Sequence, residues 1–367
     1  MPSSNVGLLI GDIGGTNARL QLWSIYPSLH NVFRSTYRTF DYNSLGEIIK
    51  RFIVDSSTCL KISKAVLAVC GPIYNKRRSN DPNNVVMRDG SRWLHQHADQ
   101  VEIESGMERG SLLFLNDFEA IGYSVAALHD QKSSASCKPE NIIVLHSGEV
   151  KYSAPCACLG AGTGLGACYL VPRLDTQQYA VYPSEAGMTQ TFCPKSDDEW
   201  ALLKYIRENS NDPFLEIERF VSGPAFVEFI DFFSKHKNIQ LLPTLDHELK
   251  NASKDEGPAI IAQHAQRGDE LCLMVVDLFL DIFGRTLGTA AQTFLPYSGL
   301  YIVGGILPKL AWRLKDRNLI VKSYLDQGDK MSETVARIPL LLIDDDDLGL
   351  KGCLYAVSTS GILLSQD

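Results

Sequence analysis

The stretch LLIGDIGGTNARLQLW (8–23) sets an apolar run, a turn carrying Gly14, Gly15 and Thr16, and a second apolar run in immediate succession. Beyond the turn, Ala18, Leu20 and Leu22 alternate with Arg19, Gln21 and Trp23, and a period of two marks a strand. Residues 157–171 follow the same plan. There Gly162, Thr163 and Gly164 stand in the turn, and Ala167, Tyr169 and Val171 oppose Cys168 and Leu170. A chain that repeats this arrangement is predicted to build two hairpins with glycine-rich tips.

That prediction constrains the chemistry. A dinucleotide fingerprint or a P-loop needs a helix directly after its glycines, so that the helix N-terminus faces the phosphate. Neither turn offers one, and GAGTGLG matches GxGxxG only as letters. A hairpin tip can still bind an anion, because glycines expose consecutive N–H groups without a Cβ in the way. Thr16 and Thr163 add hydroxyl donors, and Asp12 is placed to hold Mg²⁺ against a phosphate tail. The plain alternative is two ordinary turns. Two matching tips favour phosphate.

Elsewhere strands alternate with helices, which predicts α/β layers. SLGEIIKRFIVDS puts Leu45, Ile48, Ile49, Phe52 and Ile53 on one helical face, and Ser196 with Glu199 are spaced as a capping box. AVLAVC is a buried strand ending at Gly71-Pro72, and SLLFL runs into Asn116-Asp117. Residues 237–257 show no clear periodicity and are expected to form a surface loop. The stretch 271–295 is the most membrane-like, but Asp277, Asp281 and Arg285 interrupt it at one-turn spacing, as in a buried soluble helix. A formal charge of −8 argues against a nucleic-acid or membrane partner. Lys76-Arg77-Arg78 is too short to reverse that. The nine cysteines are scattered without metal spacing, and with no signal segment at the start they point to the cytoplasm.

Six segments in order, GDIGGTNARL, LNDFEAIG, GAGTGLG, PSEAG, ERFVSGP and IVGGILP, strongly resemble the bacterial-type ATP-dependent glucokinases of the actin-like ATPase superfamily, which also holds the hexokinases. The resemblance spans nearly the whole chain. It implies a two-domain α/β fold of the actin-like ATPase (ribonuclease H-like) type with a central interdomain cleft. Residues 1–120 with 345–367 would form the smaller domain and 121–344 the larger. The implied reaction is phosphorylation of glucose at its 6-hydroxyl by ATP with Mg²⁺, with closure around the sugar and a homodimer as one admissible assembly. A kinase for another hexose or amino sugar, a non-catalytic sugar sensor and a structural ATPase are the competing readings.

The resemblance also assigns residues. Asp117, at the C-terminal end of a buried strand where α/β proteins place ligands, matches the base that takes the hydroxyl proton. Its alternative is a helix N-cap ahead of FEAIG. Asn116, Glu185 and Glu218 match sugar-binding positions, with Gly162 counted for both sugar and nucleotide. Asp12, Gly14, Gly15, Thr16 and Asn17, then Gly162, Thr163 and Gly164, match the phosphate turns, with Asp12 toward the metal. Gly304 and Gly305 match the adenosine glycines. Two positions depart from the family. Met188 stands where many relatives carry histidine, so Thr189 or Gln190 are substitutes, and Asp89 stands where they often carry asparagine. IDDDDLGLKG (343–352) reads as a solvated turn, and Arg19 is open between a structural and a phosphate role.

Overall fold

Both glycine turns close antiparallel hairpins in the computed structural model, which describes residues 5–74, 84–86, 93, 95–176, 178–189, 191–210, 214–253 and 256–359. The chain begins with β1 (Val6–Ile13), β2 (Asn17–Ser24), β3 (His30–Arg38), α1 (Leu45–Asp55) and β4 (Lys61–Val69). Among the described residues three short strands follow, β5 (Ile73–Tyr74), β6 (Asn84–Val86) and β7 (His95–His97), then α2 (Ala98–Ser105), β8 (Leu112–Asn116) and α3 (Asp117–His129). Next come β9 (Ile142–His146), β10 (Cys156–Ala161), β11 (Leu165–Pro172), β12 (Tyr179–Ser184), α4 (Ala186–Thr189) and α5 (Asp197–Asn209). Four helices succeed them: α6 (Gly223–His236), α7 (Pro243–Asn251), α8 (Gly257–Gln266) and α9 (Glu270–Phe294). The described chain ends with β13 (Gly299–Val303), α10 (Ile306–Lys309), α11 (Ala311–Arg317), α12 (Leu319–Leu325), α13 (Ser332–Ala336), β14 (Leu340–Ile343) and α14 (Leu348–Thr359).

Two units result, one of Met1–Pro139 with Asp345–Asp367 and one of Glu140–Asp344. The main sheet of the first has the order β3-β2-β1-β4-β8, antiparallel through the hairpin and parallel from β1 through β4 to β8. The sheet of the second has the order β12-β11-β10-β13-β14-β9, with β10, β13 and β14 parallel and the rest antiparallel. Leaving out edge strand β9, the two orders are the same. The likeness of residues 8–22 to 157–171 is thus the local trace of a sheet built twice.

Local chemistry explains the elements. Ser44 caps α1 by accepting from the Glu47 N–H, while the Glu47 carboxylate accepts from the Asn43 N–H. Leu45, Ile48, Ile49 and Phe52 of α1 then join Leu20, Leu22, Ala65, Leu67 and Phe114 in the first unit's core. In the second unit α9 runs 25 residues and buries Val275, Val276, Phe279, Leu280, Phe283 and Leu287 completely. Its three interrupting charges are all paired. Asp277 accepts from Arg313, Asp281 accepts from Arg285 and Ser323, and Arg285 also reaches Glu199. Among the described residues no helix is long and apolar enough to cross a membrane.

Three regions of the structure differ from what the sequence predicts. Residues 237–257 are not a loop throughout: Pro243 opens α7, which anchors itself by Leu245 and Leu249 alone, a stripe too narrow to register as periodicity. The first unit runs to Pro139 and not to 120, because α3 packs on α14. Gly352 lies so close that a Cβ there would stand 1.6 Å from the Ala120 carbonyl oxygen. The acidic run after β14 is not simply solvated either. Lys351 pairs with Asp345 at 2.8 Å with both side chains largely buried, and Arg34 grips Asp347 through both oxygens at 2.6 and 2.7 Å.

Candidate active site

In the first unit the hairpin tip is closed by the Ile13–Ala18 pair and by the Gly14 N–H on the Asn17 carbonyl at 2.9 Å. Thr39 fixes the tip from behind: its hydroxyl donates to the Gly15 carbonyl and its N–H to the Thr16 carbonyl. The N–H groups of Gly15 and Thr16 have no acceptor among the described residues, which is the feature an anion cradle needs. Asp12 stands at the end of β1 beside this tip. Burial pushes its carboxyl above the usual carboxylate range, the Arg19 guanidinium at 3.9 Å pulls it back, and the Asp347 carboxylate adds to the rise. Arg19 also donates to the Asp346 carbonyl at 2.8 Å, so it ties the acidic turn to Asp12.

Strand register places Asn116 and Asp117 on the same sheet edge as Asp12. Asp12 pairs with Ala68 and Ala68 with Leu115, so the ends of β1 and β8 are two strands, about 10 Å, apart. Asn116, and not Asp117, is the N-cap of α3: its Oδ1 accepts from the Glu119 N–H at 3.1 Å and its amide donates to the Gly71 carbonyl at 3.2 Å. The capping that competed with catalysis for Asp117 therefore falls to its neighbour. Asp117 occupies the first helical position, half-buried, with Oδ1 accepting from the Phe118 N–H at 2.9 Å.

In the second unit the tip is closed by the Ala161–Leu165 pair and by the Gly162 N–H on the Gly164 carbonyl at 2.8 Å. Here the N–H groups of Thr163 and Gly164 are the ones with no acceptor among the described residues. Glu218 adjoins this tip. Its Oε2 accepts from the Leu165 N–H at 2.8 Å, and a Cβ on Gly164 would come within 2.6 Å of that same oxygen. α4 closes on the hairpin through Gly187, where a Cβ would stand 2.3 Å from the Leu165 carbonyl, and so carries exposed Glu185 to the same neighbourhood. Met188 is exposed beside it, and the Thr189 hydroxyl donates to the Ala186 carbonyl. Asp89, Gln190 and the run Lys76-Arg77-Arg78 lie outside the described residues.

A cavity of about 740 Å³ opens from this second tip. Gly162 and Thr163 line it together with Gly305, Ile306 and Lys309 and with the starts of α6 and α8. Gly304 reaches φ 91° over the Ala161 carbonyl, where a Cβ would stand at 2.8 Å, so only glycine allows that approach. Its size and largely apolar walls suit a small ligand with a flat apolar part. The α6 and α8 walls were not anticipated from the sequence. One signal was available: Gly-Pro-Ala recurs at 223–225 and 257–259, each time opening a helix that lines the cavity.

A twice-built sheet with a glycine hairpin in each copy defines an actin-like ATPase fold, and solved structures share it. A glucokinase from Balamuthia mandrillaris crystallised with glucose superposes with a TM-score of 0.75 at 19% identity, covering 96% of this chain and 94% of its own. A glucokinase from an Antarctic psychrotroph gives 0.70 at 24%, covering 96% and 98%. The chain belongs to the glucokinase family: the family's model, described as Glucokinase, matches residues 9–360, and the glucokinase of Nostoc sp. is 31% identical over 94% of this chain and 97% of its own.

Proposed function

We infer that this protein transfers the γ-phosphoryl group of ATP to the 6-hydroxyl of glucose, giving glucose 6-phosphate and ADP for glycolysis. The observation that carries the reading is the cavity that Gly162 and Thr163 of the second hairpin tip line. A polyphosphate donor would need the cradle but has no use for an apolar chamber beside it. ATP uses both.

In this reading Asp117 accepts the proton of the 6-hydroxyl as that oxygen attacks, and Asn116, with one amide N–H left over from capping, orients the sugar. Glu185 and Glu218 are the second unit's acceptors for sugar hydroxyls, and such acceptors discriminate where apolar walls cannot. The uncommitted N–H groups of Gly15 and Thr16 in the first unit, and those of Thr163 and Gly164 in the second, are each suited to phosphate oxygens and to the charge that develops on them. Asp12 would hold Mg²⁺. A single carboxylate suits an ion that keeps its waters and shares phosphate oxygens. Gly349 keeps that carboxylate's face clear, since a Cβ there would stand 3.2 Å from its Cγ. When bound, the ion would supply positive charge against the phosphate tail. The free thiols of the described cysteines suit the reducing cytoplasm, where glucose and ATP meet.

The test is a coupled assay for glucose 6-phosphate with MgATP, run beside inorganic polyphosphate and a hexose panel. Turnover with glucose and ATP is expected. Turnover with polyphosphate alone, or preference for another hexose, would overturn the reading.

A further inference from the structure

Among the described residues Glu228 is the one acidic side chain in the wall of the cavity, whose other lining from α6 and α8 is Gly, Pro, Ala, Val and Phe. Placing a carboxylate in an apolar wall near a polyanion is unfavourable unless something offsets it. Arg219 does so. Its Nε and Nη2 hold both carboxylate oxygens of Glu228, and Arg219 itself does not line the cavity, so it backs the group from behind. Burial pushes the Glu228 carboxyl up and Arg219 draws it back toward the ionised form. Two oxygens engaged once each still have acceptor capacity toward the cavity, and an ionised carboxylate can only accept.

Position narrows the partner. The Gly223 N–H sits on the Gly162 carbonyl at 2.7 Å, which ties the start of α6 to the phosphate-binding tip. Glu228 lies five residues further along the helix, about 7.5 Å at the helical rise. In a nucleotide whose phosphates rest on the tip, the next group along is the sugar, and its adjacent hydroxyls are paired donors that match a carboxylate. Base edges mix donors and acceptors, and the remaining apolar wall suits their faces.

We propose that Glu228, held by Arg219, reads the ribose hydroxyls of the phosphoryl donor and makes the enzyme selective for ribonucleotides. The proposal rests on the ATP reading above. Initial rates at saturating glucose with ATP, 2′-deoxyATP and GTP test it first on the unaltered enzyme, then on Glu228→Gln. A hydrogen bond to a charged group predicts that kcat/KM for ATP exceeds that for 2′-deoxyATP about 10-fold or more. In the variant that ratio falls to within about 2-fold, through a loss confined to ATP and GTP, which share the ribose. The ATP-to-GTP ratio holds. Equal use of ATP and 2′-deoxyATP by the unaltered enzyme, equal loss on both in the variant, or a shifted ATP-to-GTP ratio would each overturn the proposal while leaving the kinase reading intact. Absence of turnover with any nucleoside triphosphate would overturn both.

Discussion

Replacing Gly164 by alanine perturbs the second hairpin at one atom. The new Cβ would stand 2.6 Å from Glu218 Oε2, the oxygen that accepts the Leu165 N–H at 2.8 Å, so the carboxylate must move and that bond is lost. A hydrogen bond to a charged group is worth about 1.5–3 kcal/mol. For a unit of this size that lowers the melting temperature by roughly 3–12 °C. Function suffers more than stability, because displacing a positioning group by about 1 Å costs on the order of 100-fold in rate. Gly162→Ala is the matched control: its Cβ meets nothing within 4 Å, so melting is unchanged, but the methyl enters the cavity wall and raises KM for ATP. Melting curves and coupled kinetics on both variants decide. Gly164→Ala with unaltered melting and kcat/KM, or Gly162→Ala as unstable as Gly164→Ala, would refute the reasoning.

Asp12 is a carboxyl whose folded-state pKa is raised, so the folded chain binds its proton more tightly than the unfolded chain and stability falls as pH rises above the unfolded value. Asp12→Asn is expected to melt higher than the parent at pH 7, with the gain fading toward pH 4, while phosphorylation is lost; a lower melting point at pH 7 would contradict this. At the contact of α14 with α3, Gly352→Ala drives a methyl into the Ala120 carbonyl at 1.6 Å. The cost is about 3 kcal/mol, measurable by urea unfolding, and a loss below about 1 kcal/mol would mean the helices separate easily.

The parts of the fold legible in the sequence are those written in local periodicity. Both hairpins follow from a period of two around glycines, and the buried face of α1 follows from its i, i+3, i+4, i+7 spacing. Ser196 does cap α5, accepting from the Glu199 N–H, although the Glu199 carboxylate turns to the Lys195 N–H and to Arg285. What stayed hidden depends on partners distant in sequence. α7 has only two anchoring leucines, and α3 joins the first unit through a glycine 232 positions later, at 352. The acidic turn looks solvated until Arg34 and Lys351 are brought to it. At the site, the residue types at 116 and 117 were legible, but which of them caps the helix was not. That depends on the Gly71 carbonyl arriving from the neighbouring strand to fix the amide of Asn116.

The proposed reaction turns on Asp117 taking the proton from the sugar. Steady-state kinetics of Asp117→Asn, with glucose binding measured separately by equilibrium titration, tests it most directly. In Asp117→Asn kcat is expected to fall by about 10²–10⁴-fold while glucose affinity and the melting temperature hold. Near-parental turnover in that variant would contradict it.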